Sequence, residues 1–154
     1  MDIPLIEKYK IQAEVLVPLV KTLQAELGEE RANTLVREGI GQWARELGKT
    51  IGSMGNGSSA EKMAAAIPAF ADGGALDLDM LEQTEDALDF NVTGCRYAKF
   101  YQELGAPELG FLLVCQADFA MTEGVGSDLE LKRSQTIMQG AAHCDFRFRK
   151  KSSG

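Results

Sequence analysis

The feature that most constrains this chain is the change of hydrophobic period at Asp72-Gly73-Gly74. Upstream, apolar residues recur at spacings of three and four, as on one face of a helix. Downstream, Leu76, Leu78 and Met80 alternate with Asp77 and Asp79. Beyond a turn at Gln83-Thr84-Glu85 the alternation resumes as Leu88, Phe90 and Val92 against Asp89, Asn91 and Thr93. A period of two across so short a connection specifies an antiparallel hairpin with one wet face. A chain that begins helical and turns to hairpins has to pack helices on a sheet, which is the α+β class.

In the helical part, Ile6, Tyr9, Ala13, Leu16, Val20, Leu23 and Leu27 form a stripe on a first helix that Gly28 ends. Pro18 lies inside it and is expected to kink or split it, because proline removes a hydrogen bond and crowds the preceding turn. The stripe is short and lacks flanking charge pairs, so it packs within the domain or across a homodimer rather than in a coiled coil. A second helix, from about Glu29 to Gly52, sets Ala32, Val36, Ile40, Trp43, Leu47 and Ile51 on one face. Residues 52–58 are too rich in glycine for regular structure, and Ser58 with Glu61 then makes a capping box for a third helix. The loop has no lysine and no preceding strand, which argues against a phosphate cradle.

After the first hairpin, helices are expected from Arg96 to Leu104 and from Pro107 to Glu123, the second stopped at Gly124-Val125-Gly126. A second hairpin follows, with strands at about Asp128 to Ile137 and Ala142 to Arg149 and a turn near Gly140. The expectation is one α+β domain over residues 1–150, with a disordered tail at 151–154. Its N-terminal helices pack on an antiparallel sheet of about four strands in two hairpins, with a helical pair between the hairpins.

With 154 residues, 45% of them hydrophobic, the chain can bury one sizeable core. The net charge of −7 argues against nucleic acid as a partner, and the one basic cluster, Arg147-Phe148-Arg149-Lys150-Lys151, reads as a solvated terminal strand. No run approaches the ~18 apolar residues of a membrane span, and the first residues are acidic and amphipathic, unlike a signal segment. A cytoplasmic location is expected. Cys95, Cys115 and Cys144, odd in number and widely spaced, suit reduced thiols.

The last third of the chain concentrates thiols, carboxylates and guanidiniums among apolar residues. Strand parity puts Cys144, Phe146 and Phe148 on the core face and His143, Asp145, Arg147 and Arg149 on the other. On the neighbouring strand, Arg133 shares parity with Leu129 and Leu131, so its guanidinium points inward and needs an anion. That anion is either Asp118 or Glu108 of the protein, or a substrate carboxylate. Cys95 precedes a helix, where the helix dipole favours a thiolate; the other reading is a small filler at the junction. Cys115 and Asp118 lie three apart on one side of a helix, and an acid amid Leu112, Leu113, Val114, Phe119 and Met121 is either paired or raised in pKa, unless it faces water. His143, the sole histidine, sits beside Cys144 and Asp145 but on the outer face.

From about Leu88 to Arg149 the chain resembles the L-2-amino-thiazoline-4-carboxylic acid hydrolase family. The matching pieces are Cys95-x-Tyr97-Ala98, Leu104-Gly105-x-x-Glu108-Leu109-Gly110, Cys115-x-x-Asp118, Leu131-x-Arg133-x-x-Thr136, Gly140 and Cys144-Asp145-Phe146-Arg147. Gly126-Ser127 stands where the family pattern has Asn-Pro. The resemblance implies hydrolytic opening of a small cyclic isothiourea or related amidine to an N-carbamoyl amino acid, on a bacterial route to cysteine. The reaction needs a nucleophile or activated water, a proton donor and a carboxylate anchor. Cys95 or Cys144 could attack, Asp118 or Asp145 could move protons, and Arg133 or Arg147 could hold the carboxylate, with Tyr97, Thr136 and His143 as further substrate contacts. No cofactor is required by this reading. Two rivals stand beside it. Cys95, Cys115 and Cys144 could converge on a metal, although no C-x-x-C pair supports it. The order of helices, sheet and late cysteine-bearing strand also resembles vinyl-reductase-like small-molecule domains, which implies a non-catalytic sensor.

Overall fold

A computed structural model describes residues 3–152. Three helices come first: α1 (Leu5–Leu27), α2 (Glu29–Gly52) and α3 (Ser59–Ala71). Strands β1 (Leu76–Gln83) and β2 (Ala87–Cys95) form the first hairpin, followed by α4 (Arg96–Glu103) and α5 (Pro107–Gly110). A π-helical turn (Phe111–Cys115) leads into α6 (Ala117–Val125), and β3 (Leu129–Lys132) and β4 (Cys144–Lys150) complete the sheet. All strand pairs are antiparallel, in the order β1-β2-β4-β3. The α+β class, the helical pair between hairpins and the four strands match the sequence reading. Among the described residues no helix is long and apolar enough to cross a membrane.

Local chemistry explains each departure. α1 continues as one helix through Pro18, so the proline does not split it. The second hairpin's first strand is four residues long instead of about ten, because the amides of Ser134 and Gln135 turn to a side chain instead of the ladder. Ser134 N–H and Gln135 N–H donate to the Asp145 carboxylate at 2.9 and 3.0 Å. Thr136 then caps a 3₁₀ turn (Ile137–Gln139) by accepting from Gln139 N–H. The single helix expected from Pro107 to Glu123 is interrupted where Gln116 N–H bonds back five residues to Phe111 O, at 2.9 Å. Of the expected tail, Lys151 donates its amide to Asp128 O, and residues 153–154 lie outside the described residues.

The sheet's inner face packs on α2, α3 and α6 through Leu88, Phe90, Met63, Met121 and Phe148. A second cluster gathers α1, α4, α5 and the π turn around Ala13, Tyr101, Leu109 and Leu113. Cys95 touches both clusters, at the seam between them. Of the face expected on α2, Ala32 and Ile51 are buried and Val36, Ile40 and Leu47 pack against the two clusters, but Trp43 remains 43% exposed, and Ala44 and Gly48 beside that face are buried instead. Small side chains win because α2 meets α6 backbone to backbone. A Cβ on Gly48 would lie 2.0 Å from Met121 O and 2.9 Å from Gly124 Cα. Gly48→Ala is therefore expected to wedge the two helices apart and cost about 3 kcal/mol, at the upper end of overpacking effects. Urea melts of the two proteins check this, and an unchanged midpoint would show that the helices part freely.

Candidate functional site

The seam between the two clusters holds a cavity of about 90 Å³. Every element from α1 to β4 except α2, α5 and β3 gives it a wall: Tyr9 from α1, Phe70 from α3, Leu76 from β1, Phe90 and Val92 from β2, Tyr97 from α4, and Phe146 from β4. Against these apolar walls stand five groups with chemistry: Cys95, Cys115, Asp118, Arg133 and Cys144. The three thiols expected to share a site thus do line one space. Among the described residues, however, no group of three or more His, Cys, Asp or Glu is disposed to hold a metal ion, so the thiols surround the cavity without forming a cation site.

The centre of the site is an ion pair. Arg133 Nη1 donates to Asp118 Oδ2 at 2.8 Å and Nη2 donates to the Cys115 carbonyl at 3.1 Å. Its side chain is 3% exposed, and its guanidinium lies between the rings of Phe119 and Phe146, 5.1 and 5.2 Å from their centroids. Contact with two aromatic faces suits a weakly hydrated cation such as guanidinium. The anion for Arg133 is Asp118 and not Glu108. These two bonds occupy two of the guanidinium's five N–H groups, leaving donors for a ligand.

Asp118 keeps 24% of its side-chain surface accessible while lining the cavity, so an occupant can reach it. Burial pushes its carboxyl up from 3.8 to about 6, against the charge and hydrogen bond of Arg133, which pull it down. The π turn presents Val114 and Cys115 to the cavity one turn before Asp118, in keeping with the frequent use of such turns at functional sites.

The thiols differ from expectation. Cys95 caps α4, its Sγ accepting from Ala98 N–H at 3.4 Å. The dipole at that helix end was expected to favour a thiolate, yet burial outweighs it and pushes the thiol up to about 11. Cys144 Sγ accepts from Ile137 N–H at 3.2 Å and is likewise raised by burial; Cys115 is raised well above its ordinary value for the same reason. All three are thiols at neutral pH.

Three other candidates stand apart from the cavity. Desolvation alone would raise Asp145, but hydrogen bonds from Ser134 and Gln135 outweigh it and hold the carboxyl below its ordinary value on the outer side of the sheet. Arg147 donates to the Phe90 and Phe146 carbonyls and to Asn91 Oδ1, committing its guanidinium to the strand pair. His143 lies just before β4 and does not line the cavity. Of the remaining candidates, Tyr97 and Thr136 line it, but Tyr97 Oη donates to Phe70 O at 2.9 Å and Thr136 Oγ1 donates to Gln139 Oε1 at 3.0 Å. Sequence reasoning missed Tyr9, more than a hundred residues from Asp118, for which no local signal exists. It also missed the aromatic clamp on Arg133, although the parity of Phe146 with Cys144 already placed one ring on the correct face.

A family model described as L-2-amino-thiazoline-4-carboxylic acid hydrolase matches residues 8–148. No curated protein matches the chain. Among solved structures it is similar to the phenol-responsive sensory domain of the transcription activator PoxR, crystallised with phenol. The TM-score is 0.57 at 15% identity, over 88% of this chain and 72% of that one, a likeness in fold.

Proposed function

Because the chain belongs to the L-2-amino-thiazoline-4-carboxylic acid hydrolase family, we propose that it hydrolyses a small cyclic isothiourea or amidine bearing a carboxylate. The observation that carries this reading is the buried Asp118–Arg133 pair in the wall of an apolar cavity. Arg133 offers its remaining N–H groups to the ring carboxylate. Asp118, ionised above about pH 6, accepts a proton from water as the oxygen bonds to the carbon between sulfur and nitrogen. The water's second proton passes from the new hydroxyl to the ring nitrogen, whose double bond to carbon has become single, as the carbonyl forms and the carbon–sulfur bond breaks; Asp118 returns its proton to the departing sulfur, and the product is an N-carbamoyl amino acid with a free thiol. Water is the nucleophile in this scheme, since burial keeps Cys95 and Cys144 protonated. The cavity, about 90 Å³, is smaller than the roughly 150 Å³ that admits benzene in an apolar core, so the walls must yield even to one small ring.

The scheme fixes the pH dependence. A base that works as its carboxylate gives a kcat/KM that rises with pH through about 6 and levels off above it. A rate profile that is flat, or that falls as pH rises through this range, would assign the titration to another group.

A second reading, a non-catalytic small-molecule sensor, draws on the apolar lining and on the protonated state of all three thiols. Its fold likeness to a phenol-responsive domain is compatible with that use but does not select it, because one fold hosts many functions. Screening small cyclic amidines, hydantoins and thiazolines for a mass gain of one water separates the two readings. Turnover supports the hydrolase, and saturable binding without turnover supports the sensor.

A further inference from the structure

Helix α1 carries a second apolar stripe that the fold does not use. Ile11, Val15 and Leu19 are 57, 67 and 50% exposed, four residues apart on one face, opposite the buried Ala13 and Val20. Spaced four apart at 100° per residue, they lie within about 40° of Val15, and so do Lys8 near one end of the helix and Glu26 near the other. Both charged residues are exposed, and among the described residues neither makes an ion pair within the chain. The stripe is therefore an apolar centre with a cation at its N-terminal end and an anion at its C-terminal end.

That pattern is self-complementary when reversed. We propose that this face of α1 is the contact between two copies of the chain, packed antiparallel about a twofold axis passing between Val15 and Leu19. In this register Val15 meets the partner's Leu19, and Lys8, nine residues before the axis, lies opposite the partner's Glu26, nine residues beyond it. Twofold symmetry repeats both contacts. A parallel pairing would instead set Lys8 against the partner's Lys8 and Glu26 against the partner's Glu26, which like-charge repulsion disfavours. The helix, 23 residues and about 35 Å long, gives the seam length. Trp43, 43% exposed, and Leu104, 50% exposed, extend the apolar surface on neighbouring elements.

The test is sedimentation equilibrium on the full chain over a wide concentration range. A species of twice the chain's 16.7 kDa is expected. Val15→Glu, at an exposed position that the fold tolerates, should raise the dimer Kd by about a hundredfold or more with an unchanged circular dichroism spectrum. Lys8→Glu should weaken association, and adding Glu26→Lys should restore it, because the reversed pair is again complementary in the antiparallel register. A monomer at all concentrations, or a dimer indifferent to Val15→Glu, would overturn the contact. A dimer broken by Val15→Glu but not rescued by the double charge reversal would overturn the antiparallel register.

Discussion

Replacing Asp118 with asparagine is expected to lower kcat/KM by roughly a thousandfold, the scale of a lost general acid–base. Asparagine preserves the shape and can still accept from Arg133, but it cannot take the proton of the attacking water. Because the change also removes the partner charge of a buried guanidinium, the rate is read per folded molecule, with the fraction folded measured alongside. Cys95→Ala and Cys144→Ala should stay within about tenfold of wild type, since neither thiol transfers a proton or attacks in the scheme and each leaves only a small cavity. The reverse pattern, a silent Asp118→Asn and a dead cysteine variant, would replace water attack by a covalent thiol mechanism.

The largest loss of stability is expected from Arg133→Met. It leaves the mostly buried Asp118 in the cavity wall with no cation and removes the guanidinium from over Phe119 and Phe146, and breaking a buried pair from one side costs about 3–5 kcal/mol. The sign with pH follows from the direction of the shift. In the wild type the folded state already holds the Asp118 proton more tightly than the unfolded chain, with a pKa of about 6 against 3.8, so this group's contribution to stability falls as pH rises through that window. Removing Arg133 takes away the favourable charge and hydrogen bond, raises the carboxyl further and extends the loss to higher pH. The variant should accordingly be much less stable than wild type near about pH 8 and closer to it near about pH 5, where Asp118 is protonated and neutral. Arg133→Met combined with Asp118→Leu should recover most of the loss, because two apolar side chains replace a complete pair. Urea melts at the two pH values measure all of this. A pH-independent loss would mean that Arg133 stabilises by packing alone.

How far the sequence determined this outcome differs element by element. The period change at Asp72-Gly73-Gly74 was enough to locate the join between helices and sheet, because burial on one face leaves no other register for Leu88, Phe90 and Val92. Parity likewise carried Arg133 inward, even though β3 ends one residue before it. What escaped depends on contacts between distant segments. The strand expected through Ile137 is cut short by a carboxylate eleven residues downstream of Ser134, whose bonds no local pattern encodes. On α2 the apolar pattern found Ala32, Val36, Ile40, Leu47 and Ile51 but also chose Trp43, because nothing local shows that Gly48 admits the backbone of α6 and shifts the buried side toward itself. Cys95 shows the same limit in electrostatics. Its place at a helix start was readable and its depth was not, and depth decides the sign of the shift.

Hydrolysis is proposed for the cavity that the paired Asp118 and Arg133 both line. The most direct measurement is mass spectrometry of L-2-amino-thiazoline-4-carboxylate incubated with the purified chain and, separately, with Asp118→Asn. An N-carbamoyl product heavier by one water, accompanied by a new free thiol, is expected with the wild type and almost none with the variant. Unchanged substrate from both proteins, across this compound and the related cyclic amidines and hydantoins, would contradict it and leave a binding domain in its place.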